Sequence, residues 1–249
     1  MAHDLSTNFV SRLRARDPEA WFELWETFGP ILGAQLRKWG KGRIGIETVQ
    51  DLSQETLAAL ANGIDRHDPS QGARFSTWLL AIAKYTLGDE IDRRMAGKRG
   101  GGVKPVELEA DWQGFDRGPG PDQQYHQMVF DAKVEAAIRC VEREAEFTDF
   151  AVYRMRVFDG RSGVEVARAL AVSEPTVTRK LTKIRDRLRM RLAQTIAKYS
   201  FTEEEKDEGL RNGLELNPNK QADALFDEAI ADIYRRQMDL RAQEATLNA

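Results

Sequence analysis

The sequence predicts an all-α protein with two small helical domains, a flexible linker between them and a helical C-terminal extension. Apolar residues recur at three- and four-residue spacing on both sides of the middle of the chain, and no run alternates as a half-buried strand would. Seven glycines lie between residues 97 and 120, with three prolines between 105 and 121, a composition typical of a linker. We therefore expect domains at 1–96 and 125–199, a linker at 97–124 and the extension at 200–249.

The composition excludes several classes of protein. The single cysteine, Cys140, rules out a disulfide framework, and its apolar helical neighbours predict a small core residue. The three histidines lie far apart in the sequence, so we expect no metal site and no cofactor. The longest apolar run has six residues, and the first ten residues lack the apolar segment of a signal peptide. A cytoplasmic protein without a membrane segment is expected.

The net charge of −3 conceals a strong asymmetry along the sequence. By segment, the net charge is +1 over residues 1–99, −6 over 100–149, +8 over 150–199 and −6 over 200–249. A basic block between acidic segments is typical of a module that binds a polyanion such as a nucleic acid.

Two amphipathic helices are predicted early in the first domain. Asp17 and Pro18 supply an N-cap and a first-turn proline. The apolar stripe that follows consists of Trp21, Leu24, Trp25 and Phe28. A second helix is predicted to begin at Asp51, with an apolar face made of Leu52, Thr56, Ala59, Leu60, Gly63 and Ile64. Its opposite, polar face contains Asp51, Gln54, Glu55 and Ala58.

A third helix, from Phe75 to about Arg94, follows the turn-rich residues 67–72 and has two apolar faces. One face consists of Phe75, Trp78, Ile82 and Tyr85, and the other of Leu80, Ala83, Leu87 and Ile91. A single stripe is enough to dock a surface helix, so the second face needs another partner, either more core or unstacked nucleobases. For Trp78 taken alone, a core position is favoured.

The basic block contains the most specific local pattern, two helices joined by a tight turn. The first helix spans Gly163–Leu170, Ala171–Ser173 form the turn, and Ser173 and Pro175 begin the second helix as N-cap and first-turn proline. The core stripe of the second helix is Val177, Leu181, Ile184 and Leu188. Its polar residues are Thr176, Thr178, Arg179, Lys180, Lys183, Arg185 and Arg187.

This arrangement is what a helix-turn-helix needs to read the major groove of DNA. Arginine and lysine reach guanine edges and phosphates, and threonine reaches a base methyl group or a phosphate. A basic, solvated face on an ordinary helical hairpin is the alternative. The charge, the turn and the spacing together favour DNA binding.

The combination of both halves resembles a known family. Asp51–Thr56, Phe75–Leu79 and Asp89–Arg94 resemble region 2 of bacterial sigma-70 factors of the extracytoplasmic-function (ECF) class. Gly163–Arg189 is similar to region 4 of that class, and the glycine-rich stretch to its interdomain linker. The order and spacing of these stretches carry the resemblance, which covers residues 8 to 198 approximately.

The resemblance implies a sigma factor that binds core RNA polymerase through its β and β′ subunits and directs it to promoter DNA. Asp51, Gln54 and Glu55 would face the β′ clamp helices. The residues implied in opening the −10 element are Arg74, Phe75, Trp78, Lys84 and Tyr85. Those implied in reading the −35 element are Thr176, Thr178, Arg179, Lys180 and Lys183. Binding free energy would offset the few kcal/mol needed to flip a base. No catalytic residue is expected.

The sequence departs from the family pattern in two places. Thr48 and Gln50 stand where the segment before Asp51 is usually more acidic, and phosphorylation of Thr48 would restore negative charge there. The chain also continues well beyond region 4. Two other functions stay open: a stand-alone helix-turn-helix regulator, which would not need the 51–94 pattern, and a protein-interaction adaptor of the anti-sigma kind, which would not need the basic helix.

The extension is predicted to hold two helices. Thr202 and the three following glutamates begin the first helix, which Asn217–Pro218 ends. The apolar stripe of the second consists of Leu225, Phe226, Ala229, Ile230, Ile233, Tyr234 and Met238. The pattern favours packing on the chain's own domains. Dimerisation, an anti-sigma partner, or intramolecular regulation in which the acidic extension covers the basic block are the alternatives.

Overall fold

The computed structural model describes residues 2–40, 46–66, 74–98, 123–212, 214 and 220–247, and the regular structure in them is helical throughout. In chain order the helices are α1 (Ala2–Arg14), α2 (Pro18–Gly40), α3 (Ile46–Gly63), α4 (Phe75–Lys98), α5 (Gln123–Glu144), α6 (Phe147–Tyr153), α7 (Gly163–Ala169), α8 (Glu174–Lys198), α9 (Glu203–Lys206), α10 (Glu208–Arg211) and α11 (Lys220–Leu247). A 3-10 turn at Ile64–Arg66 follows α3, and a π turn at Arg154–Phe158 continues α6. The predicted all-α class is confirmed.

The chain divides into two compact units. The N-terminal unit comprises the described residues of Asn8–Val129 and Leu247–Ala249, and the C-terminal unit those of Met1–Thr7 and Phe130–Thr246. Helix α5 contributes to both units. The predicted linker lies largely outside the described residues, because α4 continues to Lys98 and α5 begins at Gln123.

The N-terminal unit is held by the packing of α2, α3 and α4. The predicted start of α2 is confirmed, since Asp17 Oδ1 accepts hydrogen bonds from the backbone N–H of Glu19 (2.9 Å) and of Ala20 (3.4 Å). Leu24 and Phe28 of the predicted stripe are fully buried, whereas Trp21 and Trp25 are half-buried.

Helix α3 begins at Ile46, so the prediction that it begins at Asp51 was wrong. Val49 is buried and extends the apolar stripe one turn earlier, and Ser53 Oγ donates to the carbonyl of Val49 at 2.8 Å. Asp51 therefore lies inside the helix. The predicted faces are confirmed, because the apolar positions of α3 are buried or half-buried and Asp51, Gln54, Glu55 and Ala58 are exposed.

The C-terminal unit has one core to which the extension contributes. Its main cluster joins α5, α6, α8 and α11, through residues such as Val134, Phe150, Ile184, Leu188, Phe226 and Ile230. Tyr234 of α11 stacks on Phe158, with ring centroids 4.0 Å apart and planes at 5°. The expected packing of the extension on the chain's own domain is therefore present. Leu225 was wrongly placed in the stripe, since it is 56% exposed, one residue round the helix from buried Phe226.

The first helix of the extension is shorter than predicted. Thr202 caps α9, because its side-chain oxygen accepts a hydrogen bond from the backbone N–H of Glu205 at 3.3 Å. The Glu205 carboxylate in turn accepts from the backbone N–H of Thr202 at 3.4 Å, which completes a capping box. The helix then ends at Lys206, and α10 follows as a separate turn. The predicted break at Asn217–Pro218 lies outside the described residues.

Candidate nucleic-acid and polymerase interface

The polar face of α3 is presented to solvent. Asp51, Gln54 and Glu55 are all exposed, while Leu52 and Thr56 between them face the core. Thr56 Oγ1 donates to the Leu52 carbonyl of the same helix at 2.7 Å and lies 3.4 Å from Thr86 Oγ1 of α4, a contact that joins the buried side of α3 to α4. The structure therefore brings the three polymerase-binding candidates together on one accessible face, as a helix requires of residues three and four positions apart.

The five candidates for −10 contacts divide into core and surface. Phe75 is fully buried, with its ring centroid 5.0 Å from that of Phe28 and 5.7 Å from that of Trp78. Trp78 is half-buried, and Lys84 and Tyr85 are exposed. Trp78 and Tyr85 are seven residues apart, so they lie on the same side of α4. Phe75 is therefore a core residue that packs against Trp78. Among the candidates for −10 contacts, the accessible rings are those of Trp78 and Tyr85.

Arg74 is held at the start of α4 by residues from α5. Its Nη1 lies 3.3 Å from His126 Nδ1, which also lies 3.3 Å from Ser76 Oγ. Tyr125 is buried, which raises the pKa of its phenol, and donates to the Ser76 carbonyl at 3.2 Å. This cluster is absent from the sequence predictions because its members lie about 50 residues apart, and periodicity reports only neighbours within a helix.

Helices α7 and α8 are joined by the predicted turn, and Ser173 caps α8 as predicted. Ser162 caps α7 in a capping box with Glu165, and Ala171 in the connecting turn has a φ of 52°. Ser173 caps α8, accepting from Thr176 N at 3.4 Å, and its hydroxyl lies 2.9 Å from Thr176 Oγ1. The core stripe of α8 is confirmed, with Val177, Ile184 and Leu188 buried and Leu181 half-buried.

Three of the five −35 candidates lie at the exposed N-terminal turns of α8. Thr178 and Arg179 are exposed and Thr176 is half-buried. Arg179 Nη2 donates to Thr176 Oγ1 at 3.2 Å, which aligns the guanidinium beside the helix start. These side chains surround a helix N-terminus, which itself favours an anion such as a DNA phosphate.

The other two −35 candidates are engaged by a buried carboxylate. Asp149 of α6 is 1% exposed and accepts hydrogen bonds from Lys180 and, at 2.5 Å, from Lys183. Lys180 also donates to Thr148 Oγ1 at 3.1 Å. Burial acts to raise the pKa of Asp149, but the two lysines outweigh it and lower that pKa below its ordinary value. Sequence reasoning missed Asp149, which lies more than 30 residues before its partners.

Two arginines further along α8 are engaged by the extension. Arg185 was predicted on the polar face of α8, but it is only 7% exposed and pairs with Asp223 and Asp227 of α11. Arg189 is also buried, and its Nη2 donates to Asp223 Oδ1 at 2.7 Å. A sequence pattern reports charge but not burial, so these four residues gave no signal as a group.

The described part of the chain holds neither a cluster of metal ligands nor a membrane-spanning helix. Among those residues, no group of three or more histidine, cysteine, aspartate or glutamate side chains could hold a metal ion. In the same residues, none of the helices combines the length and apolar character needed to span a membrane. Cys140 is half-buried rather than in the core, and its Sγ donates to Glu144 Oε1 at 3.3 Å.

Residues 24–96 match the family model of Sigma-70 region 2. This match covers α3 and most of α2 and α4; α3 carries the exposed polar face and α4 the two accessible rings. It supports membership of the sigma-70 family and a sigma factor role in transcription initiation, with core RNA polymerase and promoter DNA as the partners that region 2 implies. The family consists of non-enzymatic transcription factors. No curated protein and no solved structure matches the chain.

Proposed function

We propose that this protein is an ECF-like sigma factor that binds core RNA polymerase, recognises particular promoters and carries a built-in C-terminal extension. The match of residues 24–96 to Sigma-70 region 2 carries the proposal. The capped α7–turn–α8 arrangement, about 65 residues further along the chain, supports a second DNA contact of the helix-turn-helix type.

Core binding is assigned to the exposed face of α3. Asp51 and Glu55 are one turn apart, and Gln54 lies beside them with both donor and acceptor groups. Acidic residues on a rigid helix suit a basic partner surface, which the β′ clamp helices would supply. Their exposure means that a substitution there tests binding without disturbing the core.

Opening of the −10 element is assigned to the surface of α4. Trp78 and Tyr85 offer rings on one side of the helix, and base stacking on such rings is worth about 1–3 kcal/mol per base. Arg74, positioned by His126, and Lys84 would contact the DNA backbone. Stacking on this scale offsets the few kcal/mol that flipping a base costs, so DNA opening needs binding energy and no covalent step.

Reading of the −35 element is assigned to the first turns of α8. Arg179, Thr176 and Thr178 surround the capped helix start, the part of a recognition helix that reaches base edges. Lys180 and Lys183 stand one turn further on, where they reach DNA only by exchanging Asp149 for a phosphate.

The test uses the full chain and bacterial core polymerase. Gel filtration should show co-elution, and the reconstituted holoenzyme should select templates from a randomised DNA library that then support run-off transcription. Glu55→Lys should abolish co-elution while leaving the circular dichroism spectrum unchanged. Glu228→Lys, the same change at an exposed position of α11, is the matched control and should co-elute like the wild type.

A stand-alone DNA-binding regulator is the competing function, favoured by the basic second helix. Selection of a DNA sequence by the protein alone, without co-elution with core polymerase, would establish it and refute the sigma factor. Loss of co-elution in both glutamate variants would show that the α3 face is not the specific contact.

A further inference from the structure

We propose that the C-terminal extension positions the DNA-reading helix α8, with Asp223 and Asp227 as positioning residues, and that it supports promoter binding instead of blocking it. The proposal rests on the assignment of α8 to DNA reading. It concerns residues 200–247, which lie outside the matched region 2 and outside the paired helices α7 and α8.

Helices α8 and α11 are joined by a network of charged hydrogen bonds. Arg185 meets Asp227 in a two-pronged arrangement, with Nε–Oδ1 at 3.0 Å and Nη2–Oδ2 at 2.6 Å, and its Nη1 donates to Asp223 Oδ2 at 2.9 Å. Arg189 donates to the other oxygen of Asp223. Paired planar groups of this kind fix orientation as well as distance, so the network sets how α8 is rotated about its axis.

The same hydrogen-bond network includes a residue of α6. Tyr153 of α6 donates its hydroxyl to Asp227 Oδ1 at 3.1 Å, and burial is the main reason that the pKa of this phenol is raised well above its usual value. Asp227 therefore connects α6, α8 and α11. Phe226, its neighbour, fills the core beside this junction and lies under Arg189, whose guanidinium carbon is 4.6 Å from the ring centroid.

The rotation of α8 matters for DNA reading because of helix geometry. Arg185 follows Thr178 by seven residues and Arg189 follows it by eleven, so all three lie on nearly the same side of a helix with 3.6 residues per turn. The extension therefore holds α8 at Arg185 and Arg189, on the same side of the helix as the exposed reading residue Thr178. Loosening the contacts of the two arginines would let Thr178 turn away from the major groove of the DNA.

The extension is too deeply tied to α5 to behave as a displaceable cover. Three charged residues of α5 are buried, and each pairs with the extension: Asp131 with Arg236 at 2.7 Å, Lys133 with Glu208 at 3.5 Å, and Glu135 with Arg241 at 2.7 Å. A domain ending near residue 199 would lack all of these partners. Breaking a buried ion pair by removing one partner is strongly destabilising, so the extension is part of the domain.

The experiment compares specific with non-specific DNA binding in the full-length chain. The probes are a duplex selected by the wild-type protein from a randomised library and a scrambled duplex of the same composition. Asp227→Asn should weaken binding to the selected duplex about tenfold, the scale of losing one good base contact, with non-specific binding nearly unchanged. Asp232→Asn, which removes an exposed carboxylate paired within α11, is the matched control and should bind like the wild type.

Two further variants keep the test decisive if Asp227→Asn unfolds the domain. Tyr153→Phe removes one hydroxyl from the network. It should lower the ratio of specific to non-specific affinity by about threefold, since a single buried hydrogen bond contributes modestly to stability. The charge exchange Arg185→Asp with Asp227→Arg should restore much of the ratio that either single change loses, a rescue that general destabilisation would not give.

The sign of the effect separates the two roles of the extension. Tighter binding of the selected duplex by Asp227→Asn would overturn the proposal in favour of inhibition by the extension. An unchanged ratio in both Asp227→Asn and Tyr153→Phe would also overturn it, with the sigma factor proposal intact. If the wild type selects a duplex but does not bind core polymerase, the sigma factor proposal is overturned and the positioning role is still decided by the ratio of specific to non-specific affinity, since that role rests only on DNA reading by α8. Failure of the wild type to select any duplex would overturn the positioning role.

Discussion

Replacing Phe226 by alanine should destabilise the C-terminal unit by about 4–6 kcal/mol. The side chain is 1% exposed and belongs to the cluster that joins α5, α6, α8 and α11. Truncating a buried phenylalanine costs about 3–5 kcal/mol through lost burial and the cavity left behind. The guanidinium of Arg189 over the ring contributes about 1 kcal/mol more that the alanine cannot replace.

Leu225→Ala is the matched control, because it truncates the neighbouring residue, which is 56% exposed. A surface change of this kind shifts stability by about 0.5 kcal/mol or less. Urea unfolding followed by circular dichroism reports on helices of both units. All five tryptophans lie between residues 21 and 112, so their fluorescence reports on the first half of the chain alone.

The expected result for Phe226→Ala is a circular dichroism transition that begins at much lower urea than in the wild type, with the tryptophan transition in place. The reasoning is refuted if Phe226→Ala costs no more than Leu225→Ala. In that case α11 would not belong to the core of the C-terminal unit, and the extension could be removed without unfolding it.

Three further predictions concern single side chains. Asp149→Asn releases Lys180 and Lys183, so the plot of log affinity for DNA against log salt should steepen by about 1–2; an unchanged slope would contradict the pairing. Because the pKa of Asp149 is lowered in the folded protein, its stabilisation is present above the ordinary pKa of about 3.9 and is lost as pH falls through the lower folded value. Acid unfolding should therefore be less steep in Asp149→Asn, and identical pH profiles would argue against this role. Burial, and then the hydrogen bond to Glu144, raise the pKa of the Cys140 thiol, so iodoacetamide at pH 7 should modify it more slowly in the folded chain than in urea, and equal rates would contradict its burial.

Helix starts and apolar stripes could be predicted because they depend on residues close together in the sequence. Asp17 and Ser173 cap α2 and α8 as their side-chain oxygens require, and the stripe from Val177 to Leu188 is buried. Helix α3 shows the limit of such signals. Asp51 looks like a cap, but the buried Val49 before it carries the helix back to Ile46, and the tertiary contact outweighs the local preference.

The charged contacts of the candidate site could not be predicted in the same way. Asp149 and Lys183 are separated by 34 residues, and Arg185 and Asp227 by 42. Periodicity places each residue on a face of its own helix but does not say which faces meet. The sequence therefore places Arg185 on the polar face of α8 but gives no sign that another helix buries it there.

These internal pairs also change how the basic block acts on DNA. The net charge of +8 over residues 150–199 would give a slope near −7 for log affinity against log salt if every excess cation met a phosphate, at about −0.9 per contact. Arg185 and Arg189 are neutralised by Asp223 and Asp227 of the extension, and Asp149 offsets one of the two charges of Lys180 and Lys183. Arg179 remains exposed at the start of α8, with a few other surface arginines, so the C-terminal contact should contribute a slope of only about −4 to −5. A measured contribution near −7 would mean that DNA binding breaks these internal ion pairs. The hydrogen-bond network around α8 would then exist in the free protein alone.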